Sequence, residues 1–342
     1  MDIAKTRPLG RSGLHVTLAS FGGGGLGNFF RTISNAEAEA VLSAAWDAGV
    51  RYFDTAPFYG RGRSERRMGM FLDAKPRDDF VLSTKVGRLL EPARGALEQD
   101  GIFYDPSPFN SRYDYSYDGV MRSHEASLQR LGLDRIDMLL AHDIGAMIHG
   151  EAAEAQLQSL KQGGLKALEE LRAGGAIKAY GLGVNETAAC MDCLDYGNPD
   201  AFLLAGRFTL LEQTEAKPLL DRCAKERVSL IVGGVFNSGV LATGAIPGAR
   251  YNYAEAPADI LERVKQLEAV CARHDVPLSA AALQFPLSHP AVSTILLGVG
   301  TISSLERNVA GLTRDIPAAL WIDLAKQGLL EADFTAPEES AR

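Results

Sequence analysis

The 342 residues carry 35 Lys and Arg against 43 Asp and Glu, a formal charge of −8, with 46% hydrophobic and 23% charged positions. That balance builds a sizeable core and excludes disordered, collagen-like and coiled-coil classes. Without a basic run to neutralise a phosphate backbone or an anionic lipid surface, neither nucleic acid nor a membrane is expected as partner. Met1 to Gly10 lacks an apolar leader segment, and no apolar stretch approaches the ~18 residues of a membrane span, so a cytoplasmic protein is expected. Four cysteines (Cys190, Cys193, Cys223 and Cys271) are too few for a disulfide framework and suit a reducing compartment. Cys190-x-x-Cys193 has neither a second pair nor histidines at ligand spacing, so no metal site is expected.

Along the chain, short apolar or β-branched runs alternate with helical periodicity. The runs are Leu18–Phe21, Arg51–Asp54, Phe80–Thr84, Ile136–Ala141, Ala179–Gly183, Ala201–Leu204, Ser229–Val232 and Ser293–Leu297. Helical patterns follow them at Asn35–Ala48, Ser64–Phe71, Tyr117–Leu131, Gln156–Ala173, Thr187–Asp195, Glu215–Glu226, Ala258–His274 and Ser303–Ala310. Strand then helix, eight times over, predicts an α/β protein of the (β/α)8 TIM-barrel class, with residues 1–342 as one domain. Thr6–Thr17, turned by Gly10 and Gly13, reads as a hairpin plugging the bottom of the barrel. Arg88–Tyr115 and Asn237–Pro257 read as long loops on the C-terminal face, and Pro317–Leu330 as an extra helix.

Gly22-x-Gly24-x-x-Gly27 matches the dinucleotide fingerprint literally, but the third glycine does not open a helix; the next helical pattern starts only at Ser34. The run reads instead as a first barrel loop whose Gly23 and Gly24 let a ligand approach the backbone.

Chemistry gathers at three successive strand ends. Asp54 ends the second strand, Tyr59 follows in its loop, Lys85 ends the third and His142 ends the fourth, so all four meet in one sector of the C-terminal face. A phenol titrates near pKa ~10. A neighbouring ammonium lowers that value, and a carboxylate keeps the buried lysine charged. A neutral histidine beside them can orient a substrate oxygen. The set describes general acid–base work on an alcohol–carbonyl pair, with no metal required.

These residues, in the runs Arg-Tyr-Phe-Asp54-Thr-Ala-Pro-Phe-Tyr59-Gly, Leu-Ser-Thr-Lys85 and Leu-Leu-Ala-His142-Asp143, resemble the catalytic tetrad of the aldo-keto reductase superfamily, over about Arg11 to Gly311. The resemblance implies that Tyr59 is the acid–base group, supported by Asp54 and Lys85, with His142 orienting the substrate. It also implies a nicotinamide cofactor stretched across the barrel mouth. Asn185 would bind its carboxamide, Phe236 would replace the stacking aromatic that Gly234 cannot supply, and Ala205 stands where relatives carry Gln. Asn237, Ser238 and Gly239 would meet the pyrophosphate. Gly298, Gly300, Thr301 and Asn308 would hold the adenosine end. Relatives selecting the 2′-phosphate carry Lys or Arg at the positions of Gly300 and Ser304; both are missing here, so NAD is expected over NADP, with Arg307 as a partial substitute.

Arg88–Asp118 holds six aromatic residues and three basic against six acidic ones. An acidic, aromatic loop suits a neutral polyol ring. The wording of the motifs is similar to the branch of D-threo-aldose (L-fucose), L-galactose and pyridoxal dehydrogenases. This implies NAD-dependent oxidation of a free aldose at its anomeric carbon to a lactone, with pyridoxal as the alternative small-molecule substrate. Two other readings stand beside it: a general NADPH-dependent aldehyde reductase, and a cofactor-sensing, non-catalytic subunit of the potassium-channel type. Oligomeric state is left open.

Overall fold

The computed structural model describes residues 1–98, 100–331, 334, 336 and 337. Eight parallel strands close on themselves: β1 (Ala19–Gly22), β2 (Tyr52–Asp54), β3 (Val81–Val86), β4 (Met138–His142), β5 (Ala179–Val184), β6 (Ala201–Ala205), β7 (Ser229–Gly233) and β8 (Val292–Gly298). Each lies within two residues of its predicted run. Their residues are buried almost throughout because the inward side chains fill the barrel and the outward ones meet helices.

Two apolar layers result. Tyr52, Val81, Met138, Leu140, Ala179, Ala201, Leu203, Ile231 and Leu296 pack inside the barrel, joined from below by Leu9, Leu14 and Val16 of the N-terminal hairpin. That hairpin pairs Thr6–Pro8 with His15–Thr17. It is bolted to the starts of β7 and β8 by Gly10 N–H donating to Ser229 Oγ (2.6 Å) and Ser293 Oγ donating to the Pro8 carbonyl (2.7 Å). The second layer lies between the barrel and its helices, of which α1 (Asn35–Asp47), α2 (Arg63–Leu72), α3 (Tyr117–Leu131), α4 (Thr187–Tyr196) and α5 (Ile302–Thr313) matter for the site. Ser34 and Glu37 form a reciprocal capping box at the start of α1, which is why that helix begins there and not at the glycine run.

Three segments differ from the sequence-based expectation. The predicted helix Gln156–Ala173 is two α-segments, Ala153–Ser159 and Leu165–Ala173, joined by a π-helical turn at Leu160–Gly164, where Gly163 and Gly164 pack against the backbone of Tyr117 and Tyr115. A further helix, Leu278–Gln284, precedes β8; its Ala-rich run offers little amphipathic contrast because it is buried nearly all round. The segment after β3 is not an open loop but a hairpin, Arg88–Pro92 with Phe109–Tyr113.

The arch beyond that hairpin is tied down by arginines of the loop after β2 and of α2. Arg61, 2% exposed, donates to the carbonyls of Phe109 (2.8 Å) and Glu98 (3.0 Å) and pairs with Asp100 (3.2 Å). Arg63 pairs with Asp105, Arg66 donates to Ser107, and Arg112 within the hairpin pairs with Glu91 and Asp114. Two of the six acidic residues of this segment, Asp100 and Asp105, therefore fasten it to the barrel, and Glu91 and Asp114 are paired within the hairpin, so the count of charges alone does not describe what faces a substrate. Arg61→Ala should free the arch: hydrogen bonds to a charged group contribute about 1.5–3 kcal/mol each. Limited proteolysis should then cut within residues 93–108 well before the barrel is attacked, whereas an unchanged cleavage pattern would show that the arch holds without it.

Candidate active site

Asp54, Lys85 and Tyr59 stand together at the carboxyl ends of β2 and β3. Lys85 Nζ donates to Asp54 Oδ1 at 2.6 Å and to the Thr55 carbonyl at 2.9 Å, and Ser83 Oγ donates to Asp54 Oδ2 at 2.7 Å. Both charges are shut from water, Lys85 at 1% exposure and Asp54 at 0%. The lysine stem crosses the barrel interior in space left by Gly183, where a Cβ would stand 3.2 Å from Lys85 Cε. Burial alone would push the ammonium down, but Asp54 and Tyr59 outweigh it and hold Lys85 above its ordinary pKa.

Lys85 Nζ lies 4.7 Å from the centroid of the Tyr59 ring. Burial raises the phenol above its usual pKa and Lys85 opposes that rise without cancelling it. The ammonium acts in the direction expected from the sequence, lowering the phenol, but burial outweighs it, so Tyr59 is neutral at neutral pH and Lys85 limits the cost of its anion. The His142 ring stands 5.9 Å from the Tyr59 ring at 83°. Desolvation takes the imidazole down to about 3, so it is neutral at working pH. Its Nδ1 is buried with no partner among the described residues.

Rings line the cleft over these groups. Phe103, carried by the arch, lies 5.8 Å from Tyr59 and 5.3 Å from Phe58. Arg88 is buried between Phe58 (3.9 Å) and Tyr113 (4.4 Å) and is paired with Asp143. Tyr115 donates to the His142 carbonyl at 2.5 Å. Arg88 and Asp143 were missed in the sequence; their only signal was position, each just beyond the end of a barrel strand.

The expected cofactor residues fall around the same mouth with mixed fit. Gly24, Gly239 and Gly298 have nothing within 4 Å of where a Cβ would stand, so three strand ends present open backbone, as an extended dinucleotide requires. Gly23 is different: its Cβ would meet Ser64 Oγ at 2.7 Å and the Asp54 carbonyl at 2.8 Å, so protein packing demands that glycine. Asn185 is half-buried, with Nδ2 3.4 Å from the Ala205 carbonyl, and Arg207 donates to its own carbonyl at 2.7 Å. Phe236 is half-buried beyond β7; Gly234, at φ +62°, could not carry an aromatic because its Cβ would lie 2.9 Å from Gly206 N.

Asn237 does not fit as a phosphate donor. Its Oδ1 accepts from Thr209 (2.5 Å), its Nδ2 donates to the Gly206 carbonyl (3.2 Å) and its N–H donates to Gly234, while the Gly239 N–H donates to Phe236. Ser238 remains exposed, its Oγ accepting from Tyr253 N at 2.9 Å. Beyond β8, Thr301 and Ser304 form the reciprocal cap of α5, and Asn308 is buried on that helix. Although neither Gly300 nor Ser304 is basic, a cation does lie beside Gly300. Arg31, from the loop after β1, donates to the Gly300 carbonyl at 2.7 Å, and its Nε stands 3.9 Å from where a Gly300 Cβ would be. No local sequence pattern could reveal a contact across 269 positions.

Among the described residues no helix is long and apolar enough to cross a membrane. Cys190 and Cys193 are buried on α4, where desolvation raises both thiols.

A closed parallel barrel with a buried Lys–Asp pair, a tyrosine and a neutral histidine at its carboxyl ends is suited to acid–base work on CH–OH or aldehyde groups. Residues 19–321 match the family model described as Aldo/keto reductase family, and the chain belongs to that family, whose members use nicotinamide cofactors. It is 44% identical over 340 residues to pyridoxal 4-dehydrogenase of Microbacterium luteolum, covering 96% of this chain and 99% of that one. It is 40% identical to D-threo-aldose 1-dehydrogenase of Pseudomonas sp (93% and 96% covered) and 29% identical to L-galactose dehydrogenase of Arabidopsis thaliana (92% and 89% covered). In three dimensions the holo form of an aldo-keto reductase from Bacillus halodurans superposes with a TM-score of 0.74 at 23% identity, covering 96% of this chain and 97% of that one, a likeness of fold.

The His142 shift predicts an acid weakness. Between its ordinary 6.5 and about 3 the unfolded chain binds a proton that the folded one refuses. This group therefore leaves stability untouched above pH 6.5 and erodes it as pH falls towards 3, by roughly 1.4 kcal/mol per pH unit. Urea unfolding at pH 7 and pH 4.5 should show a shallower acid loss in His142→Gln than in the parent; equal losses would mean the imidazole protonates in the folded state.

Proposed function

We propose that the protein oxidises the hemiacetal carbon of a small cyclic substrate to a lactone with NAD+, a free aldose of the L-fucose (D-threo-aldose) type being the leading substrate. The observation that carries this reading is Tyr59 set against the Lys85 ammonium and a neutral His142, beneath a cleft whose wall cation, Arg88, is already neutralised by Asp143. A wall neutral as a whole favours an uncharged ring over a phosphorylated one. The aromatic rings gathered beside the acid–base groups, Phe58 and Phe103 among them, suit the apolar C–H surface of a sugar. They suit a pyridine ring equally, and pyridoxal, itself a cyclic hemiacetal, is the second reading, supported by the 44% identity to an enzyme named for it.

His142 orients the anomeric hydroxyl, and the phenolate form of Tyr59, favoured by the Lys85 ammonium that Asp54 keeps charged, accepts its proton and becomes the neutral phenol. Bound NAD+ supplies the hydride acceptor for the anomeric C–H. Asn185, Phe236, Ser238 and the open backbone at Gly24, Gly239 and Gly298 would hold it, with Gly300, Thr301 and Asn308 at the adenosine end. We assign NAD and not NADP because Arg31, the cation near Gly300, is half-exposed, bonded to that carbonyl and 3.9 Å from Glu37.

A panel of free aldoses and pyridoxal with NAD+, followed by absorbance of the reduced cofactor, tests the substrate class. Turnover confined to open-chain aldehydes with NADPH would replace this reading with a general reductase, and no turnover at all with a sensing subunit. Tyr59→Phe should lose about 10²–10⁴-fold in kcat with NAD binding retained; near-parental turnover would reject Tyr59 as the base. Because His142 is neutral throughout, kcat/KM for oxidation should climb into the alkaline range with no inflection near pH 6.5. Titrations with the two cofactors should give tighter binding of NAD+, and Arg31→Ala should weaken any residual NADP+ binding more than NAD+ binding. Tighter NADP+ binding by the parent protein would overturn the NAD assignment.

A further inference from the structure

Asp143 follows His142 at the end of β4 and takes a backbone conformation, φ +56°, that side-chain-bearing residues rarely adopt. Its N–H donates to the Gly183 carbonyl at 2.9 Å, which locks the turn. The turn places the carboxylate beside His142, with Oδ2 3.6 Å from His142 Nε2 and the side chain 13% exposed. That separation is too long for a hydrogen bond, so an imidazole donor and a carboxylate acceptor face the same space without satisfying each other.

Arg88 holds the carboxylate in place. Its guanidinium is fixed between Phe58 and Tyr113, it bonds Asp143 Oδ2, and its Nε is buried with no partner among the described residues. Asp143 Oδ1 makes no hydrogen bond within the described residues. A buried ion pair is seldom a source of net stability, since well-packed apolar residues usually serve as well or better. A pair of this kind, under-bonded and within 4 Å of the substrate-orienting histidine, is arranged for a ligand.

We propose that Asp143 is the second polar anchor of the substrate, accepting a hydrogen bond from a hydroxyl next to the hemiacetal centre while His142 meets the reacting oxygen. Arg88 is the positioning residue that keeps the carboxylate ionised and aimed. The inference rests on the hemiacetal reading above. The hydroxyl is the 2-OH of an aldose, on the carbon bonded to the one oxidised, or the 3-OH of the pyridoxal ring in its uncharged tautomer, one carbon further away. An acceptor at this point selects substrates by what they carry next to that carbon.

The test compares kcat/KM for an aldose and its 2-deoxy counterpart, and for pyridoxal and its 3-deoxy analogue. The parent enzyme should prefer the hydroxylated member of its active pair by roughly 10- to 100-fold, expressed mainly in KM. In the Arg88→Met, Asp143→Ala double variant, which leaves no lone buried charge, that ratio should collapse towards one. Asp143→Asn, close in shape, should lower it part of the way. A merely structural role would depress both members alike and leave the ratio standing, which would overturn the proposal. So would a parent enzyme indifferent to the hydroxyl, a result that needs no variant to fold. If the parent oxidises no cyclic hemiacetal at all, the functional reading falls first and this inference with it.

Discussion

A lysine and an aspartate buried together inside the barrel set the terms for the rest of this site. Isolated charges in such an interior are costly enough that removing either partner would strand the other. The surroundings answer that cost bond by bond: Ser83 and the Thr55 carbonyl complete the coordination of the pair, Tyr52 joins through Ser83 at 2.9 Å, and Gly183 clears a path for the lysine stem. Tyr59 then sits where a fixed positive charge meets its ring. Its loop is held by the contact of Gly27 with the Tyr59–Gly60 backbone, where a Cβ on Gly27 would stand 2.6 Å from the Tyr59 carbonyl carbon. The glycine run that imitates a dinucleotide fingerprint thus serves in part to pack the loop after β1 closely against the Tyr59–Gly60 backbone.

A second constraint links the two halves of the mouth. The arch after β3 carries Phe103 against Phe58 and Tyr59 and also bonds the loop after β1, Phe30 N–H donating to Ile102 (2.8 Å) and Tyr104 N–H to Asn28 (3.0 Å). One residue further on, Arg31 reaches Gly300 at the far side of β8. The arch beside Tyr59 and the Gly300 end of β8, the proposed substrate wall and adenosine site, are therefore connected through one short run of backbone. Rearranging the arch would disturb both, although the sequence separates them by about two hundred positions.

Legibility from sequence followed the range of the interactions involved. Strand and helix periods are local, so the eight repeats and the placement of Asp54, Tyr59, Lys85 and His142 at neighbouring strand ends could be read directly, since a closed parallel barrel brings successive carboxyl ends together whatever the side chains between them. Segments whose character comes from their surroundings were obscured. The helix Leu278–Gln284 is buried on most sides and shows no stripe, the π-turn at Leu160–Gly164 answers to packing against Tyr115 and Tyr117, and the hairpin Arg88–Tyr113 is stabilised by arginines of other elements.

The amino-acid sequence by itself determined the barrel, the acid–base cluster and the family, because each depends on repeats or on residues at fixed offsets from strand ends. Tertiary structure alone decided the direction of the Tyr59 shift, in which burial outweighs the ammonium, and the use of the arch's carboxylates as fasteners. It alone brought Arg31 to Gly300 and set Arg88 between two rings against Asp143. Desolvation and pairing across the fold depend on what surrounds a group in space, and residues brought together by chain closure carry no mark of that meeting in their spacing along the chain.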